Sequence, residues 1–245
     1  RCGVGIVRLV SVEKVISSAA ARLPECVFLP TESENGAMSY RDFARKMPAF
    51  SKSRAVLAGC GMTDCTDTGN IIAELIKYGG YQLIIDADGL NSIKNRPELL
   101  KSAALPPVIT PHIGEMARLT GASADAIKSD REKTAAEFSR KYNCITVLKD
   151  CKTVISSPEG KLFVCDRPNA GLAKGGSGDV LSGIISSFAA QGYDAFDAAV
   201  CGTALHSLAA ESAREKLTEY SMLPSDIVAE IPGVFARIGK TRNYR

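Results

Sequence analysis

Short apolar runs that end in glycine or aspartate recur along this chain, separated by stretches of helical periodicity, and few folds accommodate that pattern. The runs are "AVLAGCG" at 55–61, "QLIIDAD" at 82–88, "PPVITPH" at 106–112 and "CITVLKD" at 144–150. A run that is apolar on both faces suits a central strand of a parallel sheet, because helices cover both sides of such a sheet. Between and around these runs lie helix-like segments such as "DREKTAAEFSRKYN" at 130–143. Near the start, "GIVRLV" (Gly5–Val10) reads as a strand and "VEKVISSAAARL" after it as a helix, with Ser11 as its N-cap. Alternating strands and helices predict an α/β fold with a mostly parallel central sheet and helices on both faces. The pattern changes at 152–166, where "KTVISSPEGKLFVCD" reads as two strands joined at Pro158-Glu159-Gly160, an antiparallel hairpin. A glycine-rich loop, two alanine-rich helices and a last helix around Ile227–Ile238 complete the chain.

With 245 residues and no low-complexity linker, the chain is read as one domain spanning 1–245. It opens on Arg1-Cys2-Gly3 beside a strand, so a strand–helix unit of roughly 30–50 residues is expected to precede it in the native protein. Thirty basic and 27 acidic residues give a net charge of +3 without any basic block. That balance excludes a nucleic-acid tail and favours a small anionic ligand. None of the eight cysteines forms a C-x-x-C pair, and most sit in apolar runs, so they are expected to be small buried hydrophobes in a reducing compartment. No apolar run approaches the ~20 residues of a membrane span, and no signal peptide is visible. A cytoplasmic location without membrane partners is expected.

The segment richest in chemistry is "NAGLAKGGSGDVLSG", Asn169 to Gly183. Gly175, Gly176 and Gly178 free a loop of side chains, so that backbone N–H groups, with that of Ser177, can converge on one anion. A helix beginning near Gly178 would add the positive end of its dipole. Asp179, at that helix start, is placed to take a proton from a hydroxyl that faces a phosphate. In a blander role, Asp179 would only stabilise the helix dipole. The segment is neither a P-loop nor a dinucleotide fingerprint. "VITPHIGEMARLTG" puts His112 at a strand end, where open α/β sheets bind ligands, and Glu115 one helical turn on. His112 could equally serve to hydrogen-bond its own loop. "IIDADGLN" brings Asp86, Asp88 and Asn91 to another strand end, as metal ligands or as turn and cap residues. His206, inside an alanine-rich helix, reads as a core residue.

These motifs together carry a resemblance. "AKGGSGDVLSG" resembles the anion-hole motif of the ribokinase-like superfamily. More narrowly, the chain resembles the ADP/ATP-dependent NAD(P)H-hydrate dehydratases, through "GVGIVRLVS", "AVLAGCGM", "IIDADGLN", "VITPHIGEMARLTG" and "VLKDCKTVI" in the family's order. The resemblance implies Asp179 as catalytic base and Lys149, Asp150, Cys151, Lys152 and Thr153, with Gly175 to Gly178, as the nucleotide cradle. It implies that Gly59, Gly61, His112, Asn169 and Asp179 contact the hydrated dinucleotide, and that Glu115 organises Mg²⁺ through water. ATP or ADP would be co-substrate, hydrated NADH or NADPH the substrate, a homo-oligomer (a tetramer) the assembly, and an NAD(P)H-hydrate epimerase the functional partner. Three positions depart from the family's pattern: Asp150 stands for a glycine, Cys60 for a proline and Thr63 for a glycine. A vitamin-precursor kinase of this fold should carry asparagine in place of His112. A non-catalytic nucleotide-binding regulator would have no need of Asp179.

Overall fold

The computed structural model describes residues 1–241. In chain order its elements begin with β1 (Val7–Val12), α1 (Glu13–Ala20), β2 (Cys26–Thr31), β3 (Ser33–Glu34), β4 (Ala37–Met38) and α2 (Tyr40–Lys46). The central part follows with β5 (Ala55–Ala58), α3 (Thr66–Tyr78), β6 (Gln82–Ile85), α4 (Asp88–Ser92), β7 (Val108–Ile109) and α5 (Ile113–Thr120). Then come α6 (Ala124–Ser129), α7 (Arg131–Tyr142), β8 (Ile145–Leu148), β9 (Thr153–Ser156) and β10 (Leu162–Cys165). The chain closes with α8 (Ser177–Ala190), α9 (Ala195–Ser221) and α10 (Pro224–Thr241).

The main sheet has six strands in the order β10-β9-β8-β7-β6-β5. From β5 to β8 all neighbours are parallel, while β9 pairs antiparallel with both β8 and β10. The hairpin expected at Pro158–Gly160 is therefore present, with Gly160 at φ +92°. Successive strand residues point to opposite faces, and the core divides accordingly. Leu83 and Ile85 of β6, Ile109 of β7 and Leu148 of β8 pack with Ile71, Leu75, Met116 and Phe138 from α3, α5 and α7. Ile84, Val108, Ile145 and Val147 face the other way, against Ile184 and Ile185 of α8, Ala198 and Leu205 of α9, and Ile227 of α10. Both faces of the sheet are thus covered, as the uniformly apolar strands require.

At the N-terminus the outcome differs from expectation. β1 pairs in parallel with β2 in a separate two-stranded sheet. Ser11 lies inside that ladder, opposite Pro30, so it cannot cap a helix; α1 starts after Val12, without a side-chain cap. The cysteines also divide. Cys144 and Cys165 are buried, Cys151 is exposed, and the remaining five are partly covered, all eight as free thiols. Cys151 sits exposed in the turn between β8 and β9.

Helices α8 and α9 pack closely enough that a Cβ on Gly202 would come within 2.6 Å of the Ile185 side chain. The same face of α9 carries His206, only 6% exposed, its Nε2 without a partner among the described residues. Burial pushes the His206 pKa down to about 4, against a weaker opposing contribution from the Ser177 backbone. The unfolded chain would accept this proton near the ordinary value of 6.5, so stability should fall as pH drops through the window from 6.5 to 4. The full shift corresponds to about 3 kcal/mol. Melting curves of the wild type and of His206→Leu between pH 7 and pH 4.5 (conditions spanning ~2 units of the window) check this. The wild type should lose stability more steeply, whereas parallel slopes would mean that His206 titrates normally in the fold.

Candidate active site at the strand ends and the glycine loop

The C-terminal ends of β5 to β8 meet the start of α8. Asp86, the residue after β6, is 1% exposed. Its Oδ1 accepts hydrogen bonds from the Lys149 ammonium and from the Ala87 N–H, each at 2.8 Å. Its Oδ2 has no hydrogen-bond partner among the described residues. Lys149 follows β8, and its N–H donates to the Pro111 carbonyl at 2.8 Å, beside a parallel bridge to His112. The loop after β5 comes close to the same point: a Cβ on Gly59 would run into the Asp86 carbonyl, and Gly59 holds φ at +120°. Only glycine meets both demands.

The glycine-rich loop leads into a helix, as its sequence predicts. Gly176 caps α8 in a left-handed conformation (φ +95°), and Asp179 lies in the first turn of that helix, exposed. A Cβ on Gly178 would sit 3.2 Å from the Lys149 ammonium and 3.7 Å from Asp86 Oδ2, so side chains from β6 and β8 back directly onto the loop. Lys174 ties the loop's near end down by donating to the carbonyls of Glu219, Tyr220 and Met222, just past the φ +67° kink at Thr218 in α9. Cys60 Sγ and Ser182 Oγ are 3.7 Å apart, which joins the β5 loop to α8. Burial, then the charges of Asp86 and Asp179, pushes the Cys60 thiol up to about 12.

Other expected site residues are placed in several ways. His112 caps α5: its Nδ1 accepts from the Gly114 and Glu115 N–H groups at 2.9 and 3.3 Å, while Glu115 Oε2 accepts from the His112 N–H at 2.8 Å. With Nδ1 an acceptor, a neutral His112 ring carries its proton on Nε2, and the side chain stays 53% exposed. Capping and ligand contact are therefore compatible. Asn169 Oδ1 accepts from the Gly171 N–H at 3.0 Å, and its buried Nδ2 has no partner among the described residues. Asp150 pairs with Arg131. Lys152 pairs with Asp166 at 2.6 Å, and Thr153 opens β9. Gly61, at φ +65°, is exposed at the loop's tip, and Thr63 holds φ +69°, the conformation that accounts for a glycine there in the family pattern.

In "IIDADGLN", Asp88 at the start of α4 accepts from the Thr63 N–H at 2.8 Å, and Asn91 within α4 accepts from Arg118 at 2.9 Å. Asp88 is thus a turn residue and Asn91 a contact between helices, whereas Asp86 pairs with Lys149. Ala87, between Asp86 and Asp88, is held at φ +48°, a strained backbone of the kind that clusters at functional sites. A cavity of about 750 Å³ opens elsewhere, beside Thr31, Glu32 and Asp42, and includes none of these groups. The chemistry is therefore located by the converging polar residues and not by the volume.

Comparison with known proteins shows what the chain is similar to. The chain is 32% identical over 217 residues to the bifunctional NAD(P)H-hydrate repair enzyme Nnr of Thermofilum pendens, which covers 88% of the chain and 41% of that relative. It is 29% identical over 238 residues to the ADP-dependent (S)-NAD(P)H-hydrate dehydratase of Xanthomonas campestris pv. campestris, covering 97% of the chain and 81% of the relative. The chain thus spans about two-fifths of the bifunctional protein's length. The ADP/ATP-dependent NAD(P)H-hydrate dehydratase of Bacillus subtilis, co-crystallized with ATP/Mg²⁺, shares the fold with a TM-score of 0.79 at 24% identity, over 96% of this chain and 80% of that one. The family described as Carb_kinase, NAD(P)H-hydrate dehydratase, matches residues 1–233, and the chain belongs to that family.

Proposed function

We propose that this chain dehydrates the S form of hydrated NADH or NADPH, using ATP or ADP to activate the ring hydroxyl. The observation that carries the reading is the exposed Asp179 carboxylate on the first turn of α8, beside a glycine-rich loop whose one side chain between Gly175 and Gly178, Ser177, is buried, and which is backed by Lys149. Asp179 accepts the hydroxyl proton as the oxygen bonds to the terminal phosphorus, and the bond from that phosphorus to its bridging oxygen breaks to release the nucleotide shortened by one phosphate. The amides of Gly175 to Gly178 hold the transferred phosphoryl group, and the α8 dipole favours its charge. Phosphate then leaves, expelled by the lone pair of the ring nitrogen, and loss of a proton from the neighbouring ring carbon restores the double bond of the reduced nicotinamide. Positioning and charge stabilisation supply the catalysis, as in phosphoryl transfer generally.

Mg²⁺, when bound, neutralises charge on the phosphates. The donors present are hard oxygens that suit it. One oxygen of Glu115 is already committed to the His112 N–H, which is compatible with a contact to the ion through water. Lys149 and the glycine loop make the nucleotide cradle, with Cys151, Lys152 and Thr153 at its outer edge, and His112, Asn169, Gly59 and Gly61 line the dinucleotide's side. The homologous bifunctional enzyme supports an epimerase as functional partner. Exposed Ile6, Val7, Val15, Leu23 and Val27 on the β1–α1–β2 unit support a homo-oligomer. Eight free cysteines support a reducing, cytoplasmic setting for this one-domain chain, and no helix among the described residues is long and apolar enough to cross a membrane.

The direct test mixes the protein with Mg²⁺, ATP or ADP, and hydrated NADH. The absorbance of reduced nicotinamide should return with release of one phosphate per turnover (about 1:1 by the phosphoryl-transfer route). Nucleotide hydrolysis without that absorbance would refute the reading. Asp179→Asn should lower turnover by about 10²–10⁴-fold, the usual effect of removing a general base. Nucleotide affinity, measured by calorimetry, should stay the same or tighten, since a negative charge near the phosphates is gone. Retention of more than about a tenth of the rate would exclude Asp179 as the base.

His112→Asn separates the two roles of that side chain. Asparagine is itself a favoured N-cap, so α5 and thermal stability should be preserved. The KM for the hydrated dinucleotide should rise about tenfold, the equivalent of one good hydrogen bond, with the nucleotide KM little changed. An equal loss for both ligands would place His112 between them, as its bridge to Lys149 permits.

A further inference from the structure

Cys60 is a sulfur in a site otherwise made of oxygen and nitrogen donors, and the proposed reaction has no use for it. Its raised pKa makes it a poor nucleophile and a poor target for oxidation. Its neighbours suggest another chemistry. Cys60 Sγ, a carboxylate oxygen of Asp86 and a carboxylate oxygen of Asp179 all lie within 4.8 Å of one another. Asp86 supplies an independent indication. It is 99% buried by its 1% exposure, yet Oδ2 has no hydrogen-bond partner among the described residues. That oxygen is directed at the start of α8, within 3.7 Å of the Cβ position of Gly178, next to Asp179. A buried carboxylate oxygen without a donor costs free energy unless something positive reaches it.

We propose that Cys60, Asp86 and Asp179 bind a thiophilic divalent cation of the Zn²⁺ or Cd²⁺ type, with water completing a four-coordinate shell. One thiolate and two carboxylates suit a borderline-soft ion, whereas Mg²⁺ does not select a sulfur ligand. As the metal–sulfur bond forms, the Cys60 proton leaves to solvent, and the thiolate and two carboxylates then carry three negative charges against the ion's two positive ones. Lys149, held on Asp86 Oδ1 at 2.8 Å, offsets the remaining charge. Exposed Asp179 gives the ion a way in from solvent. Occupancy removes the Asp179 carboxylate from proton transfer, so the ion inhibits turnover; that consequence, unlike binding, rests on the proposed role of Asp179.

Cadmium titration of the full chain without nucleotide tests the site, read by the ultraviolet absorbance of a cadmium–thiolate bond and by competition with Zn²⁺. The wild type should show one tight equivalent, Cys60→Ala should abolish it, and Asp86→Asn should weaken it by at least about tenfold, since even outer-shell changes cost that much. Asp179→Asn, at an exposed position, should weaken it similarly and guards against a folding defect in the Asp86 variant. No tight equivalent in the wild type would overturn the proposal. So would a signal that survives in Cys60→Ala, which would point to another thiol such as exposed Cys151, or an affinity unchanged by Asp179→Asn. Zn²⁺ should also inhibit the wild type at lower concentration than Cys60→Ala. Binding without any dehydratase turnover would leave the metal site standing and reject the proposed function instead.

Discussion

The Asp86–Lys149 pair is the contact on which the geometry of the site depends. It joins the ends of β6 and β8 across the end of β7, which lies between them in the sheet. Burying two charges carries a desolvation cost that their attraction need not repay, so stability alone is a weak reason for such a pair. Its position offers a better one. With Asp86 Oδ1 occupied by the Lys149 ammonium and the Ala87 N–H, the carboxylate is fixed in rotation and its other oxygen is held toward the glycine loop. Lys149 is fixed in the same way, beside Gly178. A lysine free to swing would carry the same charge without delivering it to one point.

The backbone around this pair is arranged to let it form. Gly59 gives up its side chain because the Asp86 carbonyl occupies the space, and Ala87 accepts φ +48° immediately after Asp86. Thr63, at φ +69°, is steadied by the hydrogen bond from its N–H to Asp88. Each non-glycine residue in such a conformation costs on the order of 1 kcal/mol or more. Two of the five non-glycine residues held at positive φ, Thr63 and Ala87, thus lie after β5 and β6, where the chain must turn sharply to bring both loops against α8. The packed core of the sheet and its helices holds these turns in place.

The parts of this arrangement legible in the sequence are those set by local chemistry. The glycine loop leading into a helix with Asp179 on its first turn, the helix that follows His112, and the hairpin at Pro158–Gly160 each follow from residues close together in the chain. Asp86 is different. In "DADG" it looks the same as Asp88, and only Lys149, 63 positions later, tells the ligand-facing carboxylate from the turn residue. Lys149 and Lys152 pose the same difficulty, since one is drawn to a buried carboxylate and the other to exposed Asp166. Ser11 looked like a helix cap because caps are judged locally, and the pairing of β1 with β2 that overrides it is not local. The exposure of Cys151, between two strands, likewise depends on which turn the hairpin leaves uncovered.

The charges at the strand ends also fit the sequence of events proposed for catalysis. Asp86 and Lys149 cancel each other, leaving Asp179 as an uncompensated carboxylate beside a loop that, in the proposed reaction, attracts phosphate. Two like charges placed this close repel, so the loop must outweigh Asp179 with partial charges. Backbone amides and the α8 dipole do so without adding any group that could neutralise the base by pairing with it. A second lysine aimed at the phosphates from inside the loop would bind them more strongly, but it would also form an ion pair with Asp179 and lower its basicity. The segment from Gly175 to Gly178, whose one side chain is the buried Ser177 hydroxyl, is therefore as much a condition for the proposed base as for the anion. It also explains why Lys174, the one cation within the motif, is turned back onto the carbonyls of Glu219, Tyr220 and Met222, away from Asp179.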